Sequence, residues 1–345
     1  MKPLLKVVAS GLMTTLQDLG RHGYQRLGIP VSGALDGVSL RAANLLAGNS
    51  PGTGALEIAY QGPTLAVEAE STRVAYAGGT AAIEILSGED ASSGVRLQPL
   101  QSARLRKGQI LRIGALSGSA VGYLAVEGGF DVATVLGSQS TLARAGLGGL
   151  EGRPLRAGDI LPLKLERTED RQERMLPSLA LAPPPYVRVL FGPQDDYFSN
   201  EGKRTLPESV YTVSPASDRM GMRLAGPALE HARGYNIVSD GTAPGAIQVP
   251  GNGLPIVLLA DRQTTGGYPK IATVISADMP ALGRLMPGAK VAFKAVDIAA
   301  AEAAHRQHRA DLDAIADSIV GVRAAIDAAK LLESNLVSGM IDAHD

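Results

Sequence analysis

The sequence predicts a mostly β fold of the α+β class, built of barrel lobes and ending in a helical extension. Glycine accounts for 41 of the 345 residues, well above the usual share of about 7%, so the chain turns often. The apolar runs between the turns are short. A doubly wound α/β fold would need longer helical segments between its strands, and barrels are therefore favoured. The runs include residues 74–76, 83–86, 111–113, 123–126, 187–190 and 210–213.

One turn pattern occurs three times, in residues 105–111, 155–161 and 285–291. Each copy begins with leucine, has glycine as its fourth residue and ends on an aliphatic residue. Because glycine adopts positive φ without steric penalty, each copy indicates a turn that leads into a strand.

A duplication is predicted from two segments that align without gaps, residues 31–43 and 213–225. Six of the thirteen aligned positions are identical. Between the two halves, residues 166–173 are charged and residues 181–186 are proline-rich, which is typical of an extended linker. The sequence therefore predicts a first lobe at residues 1–170, a linker at 171–186 and a second lobe at 187–296.

The last segment, residues 297–345, is rich in alanine and predicts a helical tail. Its apolar residues fall three and four positions apart, which places them on one side of a helix. Two interpretations remain open: this seam packs back onto its own domain, or it contacts a partner or a second copy of the chain. The seam residues are Leu312, Ile315, Ile319, Val322 and Ile326.

Composition limits the kinds of partner. The chain has 33 basic and 34 acidic residues and a pI near 6.5, so it lacks the charge that binds nucleic acid or anionic membranes. It contains no cysteine, which excludes disulfides, thiolate catalysis and cysteine-ligated zinc. Lys6 interrupts the apolar start, and no run approaches the ~18 residues of a membrane span. A cytoplasmic protein is expected.

Residues 261–274 form the most informative stretch. Apolar runs at residues 255–260 and 271–275 flank it and indicate buried strands. Asp261 and Arg262 follow the first run directly. An unpaired buried charge is costly, so these side chains must pair or face a cleft. We favour a functional site over a structural ion pair.

Several separate motifs in this order resemble one family, over roughly residues 5–295. It is known as the KipA family, allophanate hydrolase subunit 2, the biotin-dependent carboxyltransferase family or the C subunit of 5-oxoprolinase. The motifs are residues 11–21, 32–36, 192–198, 217–221, 245–250 and 261–274.

The resemblance implies a pair of cyclophilin-like β-barrel lobes and a role in a heteromer. Relatives act with a KipI-like subunit and, in many bacteria, with a third subunit similar to LamB/YcsF proteins. That assembly is an ATP-dependent 5-oxoprolinase, which opens the lactam of 5-oxoproline to give glutamate. Two alternatives stay open. One is the carboxyltransferase half of a biotin-dependent enzyme similar to urea carboxylase; the other is a regulator that neutralises a KipI-like kinase inhibitor.

The chain has neither a Met-Lys-Met biotin-attachment motif nor a phosphate-binding P-loop. We therefore expect that this chain alone binds no cofactor and is inactive by itself. ATP would be used by the assembly. In the carboxyltransferase alternative, carboxybiotin would be carried by a partner. No metal site is expected either. His22 and His231 are interpreted as surface residues, and His305 and His308 lie three apart on a charged helix face without a third ligand.

The candidate catalytic residues are Asp261, Arg262, Gln263 and Lys270. Urea and 5-oxoproline both present a planar amide, whose oxygen gains negative charge during reaction. Arg262 and Lys270 could stabilise an oxyanion, a carboxylate or a phosphorylated intermediate. Asp261 would orient Arg262 or act as a base. The candidate substrate-binding residues are Gln248, Thr264, Thr265, Gly266, Gly267, Tyr268, Arg219 and Asp218.

Asp218, Arg219 and Arg223 form a second group, in which Asp218 and Arg223 are mirrored by Asp36 and Arg41 in the first lobe. We expect each aspartate at a turn into a short helix, either capping the helix or joining an ion pair between the lobes. Arg219 has no charged counterpart in the first lobe and is the stronger functional candidate. A third group, Gln17, Asp18 and Arg21, is expected either to line the same cleft or to form a structural turn.

Overall fold

A computed structural model describes residues 2–87 and 93–322 of the chain. The fold is mostly β, as predicted, with two lobes that each have their own hydrophobic core. No helix within these residues is long and apolar enough to cross a membrane.

In the first lobe, nine strands of the described chain form one bent sheet, a half-barrel. One helix, α1 (Gly37–Ala47), packs on it. The strands are β1 (Leu4–Ala9), β2 (Met13–Gln17), β3 (Ala55–Ala59), β4 (Thr64–Val67), β5 (Ser71–Ser87), β6 (Ser93–Leu97), β7 (Ser102–Arg106), β8 (Ile110–Val126) and β9 (Ile160–Pro162).

Strands β5 and β8 pair antiparallel along most of their length. Because side chains alternate between the two faces of a strand, β5 serves two cores. Val74 and Tyr76 enter the core inside the sheet. Ala75 and Ala77 face α1 together with Leu40. The small alanines let the helix lie close against the sheet.

The second lobe is a closed barrel of seven strands among the described residues, in the order β11-β18-β15-β16-β13-β12-β19. The barrel closes where β19 pairs parallel with β11. Its elements are β11 (Val187–Phe191), α2 (Asn200–Glu208), β12 (Val210–Val213), β13 (Gly221–Ala225), β14 (Asp240–Gly241), β15 (Ala246–Gln248), β16 (Ile256–Leu258), β17 (Thr265–Gly266), β18 (Lys270–Val274), α3 (Met279–Arg284) and β19 (Lys290–Ala295); β10 (Arg174–Met175) precedes them.

The repeated turn pattern has the predicted conformation. Gly108, Gly158 and Gly288 have φ of 84°, 90° and 85°, which a side chain would disfavour. Strands β8, β9 and β19 each begin two residues later. The predicted strands on either side of residues 261–270 are also present, as β16 and β18.

The gapless alignment of residues 31–43 with 213–225 is wrong as a structural correspondence. The first segment leads into α1, where the Asp36 carboxylate accepts hydrogen bonds from Val38 and Ser39 as the predicted helix cap. The second runs from β12 through a turn into β13. There Asp218 caps a hairpin turn, by accepting from the amides of Met220 and Gly221, and not the predicted helix.

The predicted helical tail is α4 (Ile298–Asp317), and it ends earlier than expected. Val320 and Gly321 form a short strand that pairs with β10, because β-branched residues and glycine are poor helix formers. Val322 follows that strand, and Ile326 lies outside the described residues. Leu312, Ile315 and Ile319 pack with α1, so this part of the seam packs within the chain, against the first lobe.

The first residues of the predicted linker are bound to the first lobe. The Arg73 side chain, fully buried in β5, contacts Glu173 at 3.0 Å. Arg171 donates to the carbonyl of Ala47 at the end of α1. Residues 171–175 are therefore fastened to the first lobe, and the proline-rich part follows them.

The lobes are joined by a buried ion network centred on Arg219. Its guanidinium contacts Asp261 in its own lobe at 2.8 Å and Glu57 in the first lobe. It also donates to the carbonyl oxygen of Gly33 at 2.6 Å. Burial alone would lower the pKa of Arg219, but the two carboxylates beside it raise that pKa well above its usual value.

Both carboxylates of this network have further donors from the first lobe. Ser32 donates to Asp261 at 2.5 Å, and Tyr123 donates to Glu57 at 2.5 Å. The Tyr123 oxygen in turn accepts from the amide of Asp36 at 2.9 Å. Burial, followed by the charges of Glu57 and Asp36, raises the pKa of Tyr123 well above its usual value.

We expect Arg219→Ala to lower the free energy of unfolding by about 3–5 kcal/mol, because it leaves Glu57 and Asp261 buried without a cation. Arg223→Ala is the matched control, since Arg223 lies in the next strand and is exposed. Urea denaturation of both variants measures the difference. A loss in Arg219→Ala no larger than that in the control would contradict the proposed importance of the network.

Candidate functional site

In the stretch between β16 and β18, Asp261 contacts different partners from the residue that follows it. Asp261 belongs to the network with Arg219 and Ser32. Arg262 instead donates to the carbonyl oxygen of Thr242. The two neighbouring side chains therefore do not pair, and the prediction that Asp261 orients Arg262 is wrong. Asp261 serves the contact between the lobes.

Arg262 is buried without a carboxylate partner in the described part of the chain. Its side chain is only 1% exposed, and its Nε lies 3.4 Å from the oxygen of Thr242. Its Nη2 has no hydrogen-bond partner among the described residues. Burial lowers the pKa of Arg262 to about 10, which leaves it charged at neutral pH. A buried cation with a free donor can bind an anion.

Gln263 and Gln248 form an amide pair beside Arg262. The Gln263 Nε2 donates to the Gln248 Oε1 at 2.9 Å, and the Thr242 hydroxyl donates to the Gln263 carbonyl. Gln248, at the end of β15, is 2% exposed. Its Nε2 is buried and has no acceptor within the described residues, although a buried amide donor normally has one.

Gly266 is required next to this pair. A Cβ at Gly266 would lie 2.3 Å from the Gln248 Nε2 and 3.4 Å from the Gln263 Nε2. Any side chain there would displace the amides, so glycine allows the backbone to lie against them.

Lys270 begins β18 and is 1% exposed. Its Nζ contacts the Asp240 carboxylate at 2.8 Å and the Gly241 carbonyl at 3.0 Å. Gln194 links the same two residues: it donates to the Asp240 carboxylate and accepts from the backbone amide of Lys270. The hydrogen bond from Lys270, with those from Gly241 and Gln194, lowers the pKa of Asp240.

The remaining predicted residues of the stretch lie on its outer side. Thr265 and Gly266 pair with β14, and the Thr264 carbonyl accepts from the Thr242 amide at 3.0 Å. The Gly267 carbonyl accepts from the Ile237 amide. Tyr268 is 41% exposed. These residues form the border between the buried polar cluster and the surface.

Asp218 and Arg219 lie elsewhere, at a cavity between the lobes. With Asp261 they line a space of about 230 Å³ whose other walls are largely apolar. The predicted site residues are thus divided between this inter-lobe cavity and the cluster of Arg262, Gln248, Gln263 and Lys270. The apolar wall includes Met13, Ala59, Val121, Met222 and Leu259.

The early motif of Gln17, Asp18 and Arg21 is a structural turn, one of its two predicted roles. Asp18 accepts from Ser138 and Ser140 and from the amides of Gly20 and Gln139. Burial lowers the pKa of Arg21, and the negative charges of Asp18 and Asp261 partly offset this decrease.

The histidines that the structure describes do not lie in one site. His22 is exposed, and His231 lies 3.1 Å from the Val249 carbonyl and packs against Phe198. His305 contacts Ser276. Within residues 2–87 and 93–322, no three side chains that commonly bind metals come together.

Sequence reasoning missed Glu57, Asp240 and Thr242. Glu57 could have been found, because it is a lone charge in the apolar strand Ala55–Ala59, the same signal that singled out Asp261. Asp240 and Thr242 gave no such signal, because they lie in a polar stretch that is typical of an ordinary turn.

Chemically, the cluster offers two buried cations and an amide pair with one free donor. Such a set can hold a planar amide by its edge and stabilise negative charge on oxygen. The described residues of the cluster contain no histidine and no free carboxylate, since Asp240 is paired with Lys270.

Comparison with known proteins matches residues 27–295 to the family model of the carboxyltransferase domain, subdomain A and B. The chain is 38% identical to the C subunit of 5-oxoprolinase from Escherichia coli K12, over 84% of this chain and 90% of that protein. It is 36% identical to the protein of that name in Haemophilus influenzae, over 87% and 94%. It is 30% identical to urea amidolyase of Saccharomyces cerevisiae, over 84% of this chain and 16% of that protein.

Two solved structures also superpose on this chain. The crystal structure of TTHA0988 superposes with a TM-score of 0.75 at 36% identity, over 85% of this chain, and the chain spans 56% of that protein. Urea carboxylase of Kluyveromyces lactis gives a TM-score of 0.83 at 29% identity, over 94% of this chain and 30% of that protein. The chain therefore belongs to the carboxyltransferase-domain family, subdomains A and B, as its motifs predicted.

Proposed function

We propose that this chain is the C subunit of an ATP-dependent 5-oxoprolinase, which converts 5-oxoproline to glutamate. The observation that carries the proposal is its similarity to two proteins named as this subunit, over 90% and 94% of their lengths. We propose a KipI-like subunit and a LamB/YcsF-like subunit as its partners in the cytoplasm.

The geometry of the buried cluster suits this substrate. 5-Oxoproline carries a carboxylate beside a lactam, and the cluster has two cations, Arg262 and Lys270, beside Gln248 and Gln263. In this proposal the cations bind the carboxylate and stabilise developing charge, and the free Nε2 of Gln248 donates to the lactam oxygen. Thr264, Thr265, Gly267 and Tyr268 border the substrate.

The proposal gives Asp261 and Arg219 a positioning role. Their ion pair fixes the first residue of the stretch against the first lobe, and so places Arg262 and Gln263 relative to β15. ATP would bind to another subunit, because no phosphate-binding loop motif occurs in this sequence. We therefore propose that the chain is active only in its assembly.

A second candidate is the carboxyltransferase half of a biotin-dependent enzyme that acts on a urea-like amide. It is favoured by the superposition on K. lactis urea carboxylase, whose TM-score of 0.83 exceeds the 0.75 of TTHA0988. Biotin would then be carried by a partner.

Reconstitution distinguishes the two functions. We expect the chain, purified with its KipI-like and LamB-like neighbours, to release glutamate from 5-oxoproline only when ATP and all subunits are present. A parallel assay supplies urea, bicarbonate, ATP and a biotinylated carboxylase. Turnover in the biotin assay alone would replace the oxoprolinase proposal with carboxyl transfer.

Substitution of the cluster tests its role in the reaction. We expect Lys270→Ala and Gln263→Ala to lower kcat of the assembly by about 100-fold or more, the usual effect of removing a donor from a developing oxyanion. Lys107→Ala, at an exposed turn of the first lobe, should leave kcat unchanged.

Size-exclusion chromatography of the same variants shows whether the complex still forms. If the two cluster variants fail to assemble while their folded content is normal, the cluster is a subunit interface and the assignment to chemistry is wrong.

A further inference from the structure

Three consecutive residues supply the oxygen atoms that contact both buried cations of the cluster. The Asp240 carboxylate and the Gly241 carbonyl accept from Lys270 at 2.8 and 3.0 Å. The Thr242 carbonyl accepts from Arg262 at 3.4 Å. We call residues 240–242 the cover segment. It places one carboxylate and two carbonyl oxygens against one ammonium and one guanidinium group that are otherwise buried.

The cover segment is exposed at its start and buried at its end, where Thr242 is 5% exposed and its carbonyl also accepts from Gln25 at 3.5 Å. The Asp240 side chain is 55% exposed, whereas the Lys270 side chain beneath it is 2% exposed. Only two residue pairs join the cover segment to β17. The chain just before it is also exposed, with Val238 at 93% and Tyr235 at 50%. Segments with few buried contacts open at low free energy. Asp240 and Gly241 are exposed in this way, and Thr242 leaves only when its hydrogen bonds to Gln263 and Thr264 break.

Two donors of the cluster are not satisfied by the cover segment. Arg262 and Gln248 are 1% and 2% exposed, and the Arg262 Nη2 and the Gln248 Nε2 lack acceptors among the described residues. Buried donors normally have partners. An acceptor that reaches both donors would complete hydrogen bonds that the described residues leave unmade.

We propose that the cover segment stands in for a ligand: a small molecule with a carboxylate next to an amide carbonyl displaces it and binds Lys270, Arg262 and Gln248. The ligand carboxylate replaces the oxygen atoms of the cover segment against Lys270 and Arg262, and the amide oxygen accepts from the Gln248 Nε2. This rests on the proposed function for the choice of 5-oxoproline as the ligand. Asp240 then competes with the substrate carboxylate for Lys270, and a bound carboxylate keeps the cover segment displaced.

A carboxylate fits better than a phosphate for two reasons. The group that now neutralises Lys270 is itself a carboxylate, held with a backbone carbonyl. The neighbouring pair of Gln248 and Gln263 presents amide groups, which match an amide by reciprocal donors and acceptors.

Hydrogen exchange of the full chain, followed by mass spectrometry, tests the proposal. Saturating 5-oxoproline should speed exchange of residues 240–242 about tenfold, because the Thr242 amide loses its bond to the Thr264 carbonyl. 2-Pyrrolidinone, which has the lactam but no carboxylate, should leave exchange unchanged. Unchanged exchange with 5-oxoproline, an equal effect of 2-pyrrolidinone, or a response to inorganic phosphate alone would each overturn the proposal.

A substitution provides the second measurement. Asp240→Asn removes the competing charge, so the Kd for 5-oxoproline, measured by calorimetry, should fall about tenfold. Asp196→Asn is the matched control: the Asp196 side chain is 54% exposed and pairs with Arg233 instead of Lys270, so its loss should leave the Kd unchanged. An unchanged or higher Kd for Asp240→Asn would overturn the proposal.

The two proposals can fail separately. If the chain binds 5-oxoproline with displacement of the cover segment but the complete assembly releases no glutamate, the ligand site stands and the oxoprolinase function falls. If the assembly is active while the cover segment never moves, the function stands and the inference about residues 240–242 falls.

Discussion

The structure depends on one cation, only 12% exposed, that is shared between two lobes. Arg219 is held by Asp261 of its own barrel and by Glu57 of the first lobe, and Ser32 and Tyr123 complete the hydrogen bonds of the two carboxylates. Ion pairs at this depth form only where geometry satisfies every member, because an unpaired charge there is strongly destabilising. The network therefore fixes the lobes in one relative position, and it fixes the start of the stretch that carries the candidate site.

Asp261 and the residue after it, Arg262, lie in different chemical environments. Asp261 faces the first lobe, and Arg262, the next residue, faces the interior of the cluster formed with Gln248, Gln263 and Lys270. The ion pair of Asp261 holds the stretch in place. The cluster on the other side has donors, on Arg262 and Gln248, that the described residues do not satisfy. A site built this way can be held accurately by the barrel strands β15 and β18, while a short exposed segment over it remains free to open.

Much of the fold could be predicted because its signals are local. The glycines at 108, 158 and 288 needed only turn chemistry, and the strands around residues 261–270 needed only apolar runs. Family membership followed from motifs and was confirmed. An ion pair between the lobes was one of two roles predicted for the group of Arg219, but the distant partner could not be predicted: Arg219 and Glu57 are 162 positions apart. Lys270 likewise contacts Asp240, which lies in an ordinary turn sequence. The alignment of residues 31–43 with 213–225 misled, because identical residues there serve a helix and a hairpin. The site roles remain predictions.

The most direct test of the account is a crystal structure of the chain with 5-oxoproline bound. We predict the ligand carboxylate between Lys270 and Arg262, with residues 240–242 displaced and the contacts of Arg219 with Glu57 and Asp261 unchanged. A ligand bound instead in the inter-lobe cavity, against Arg219 and Asp261, would contradict the division of the stretch into a positioning side and a binding side.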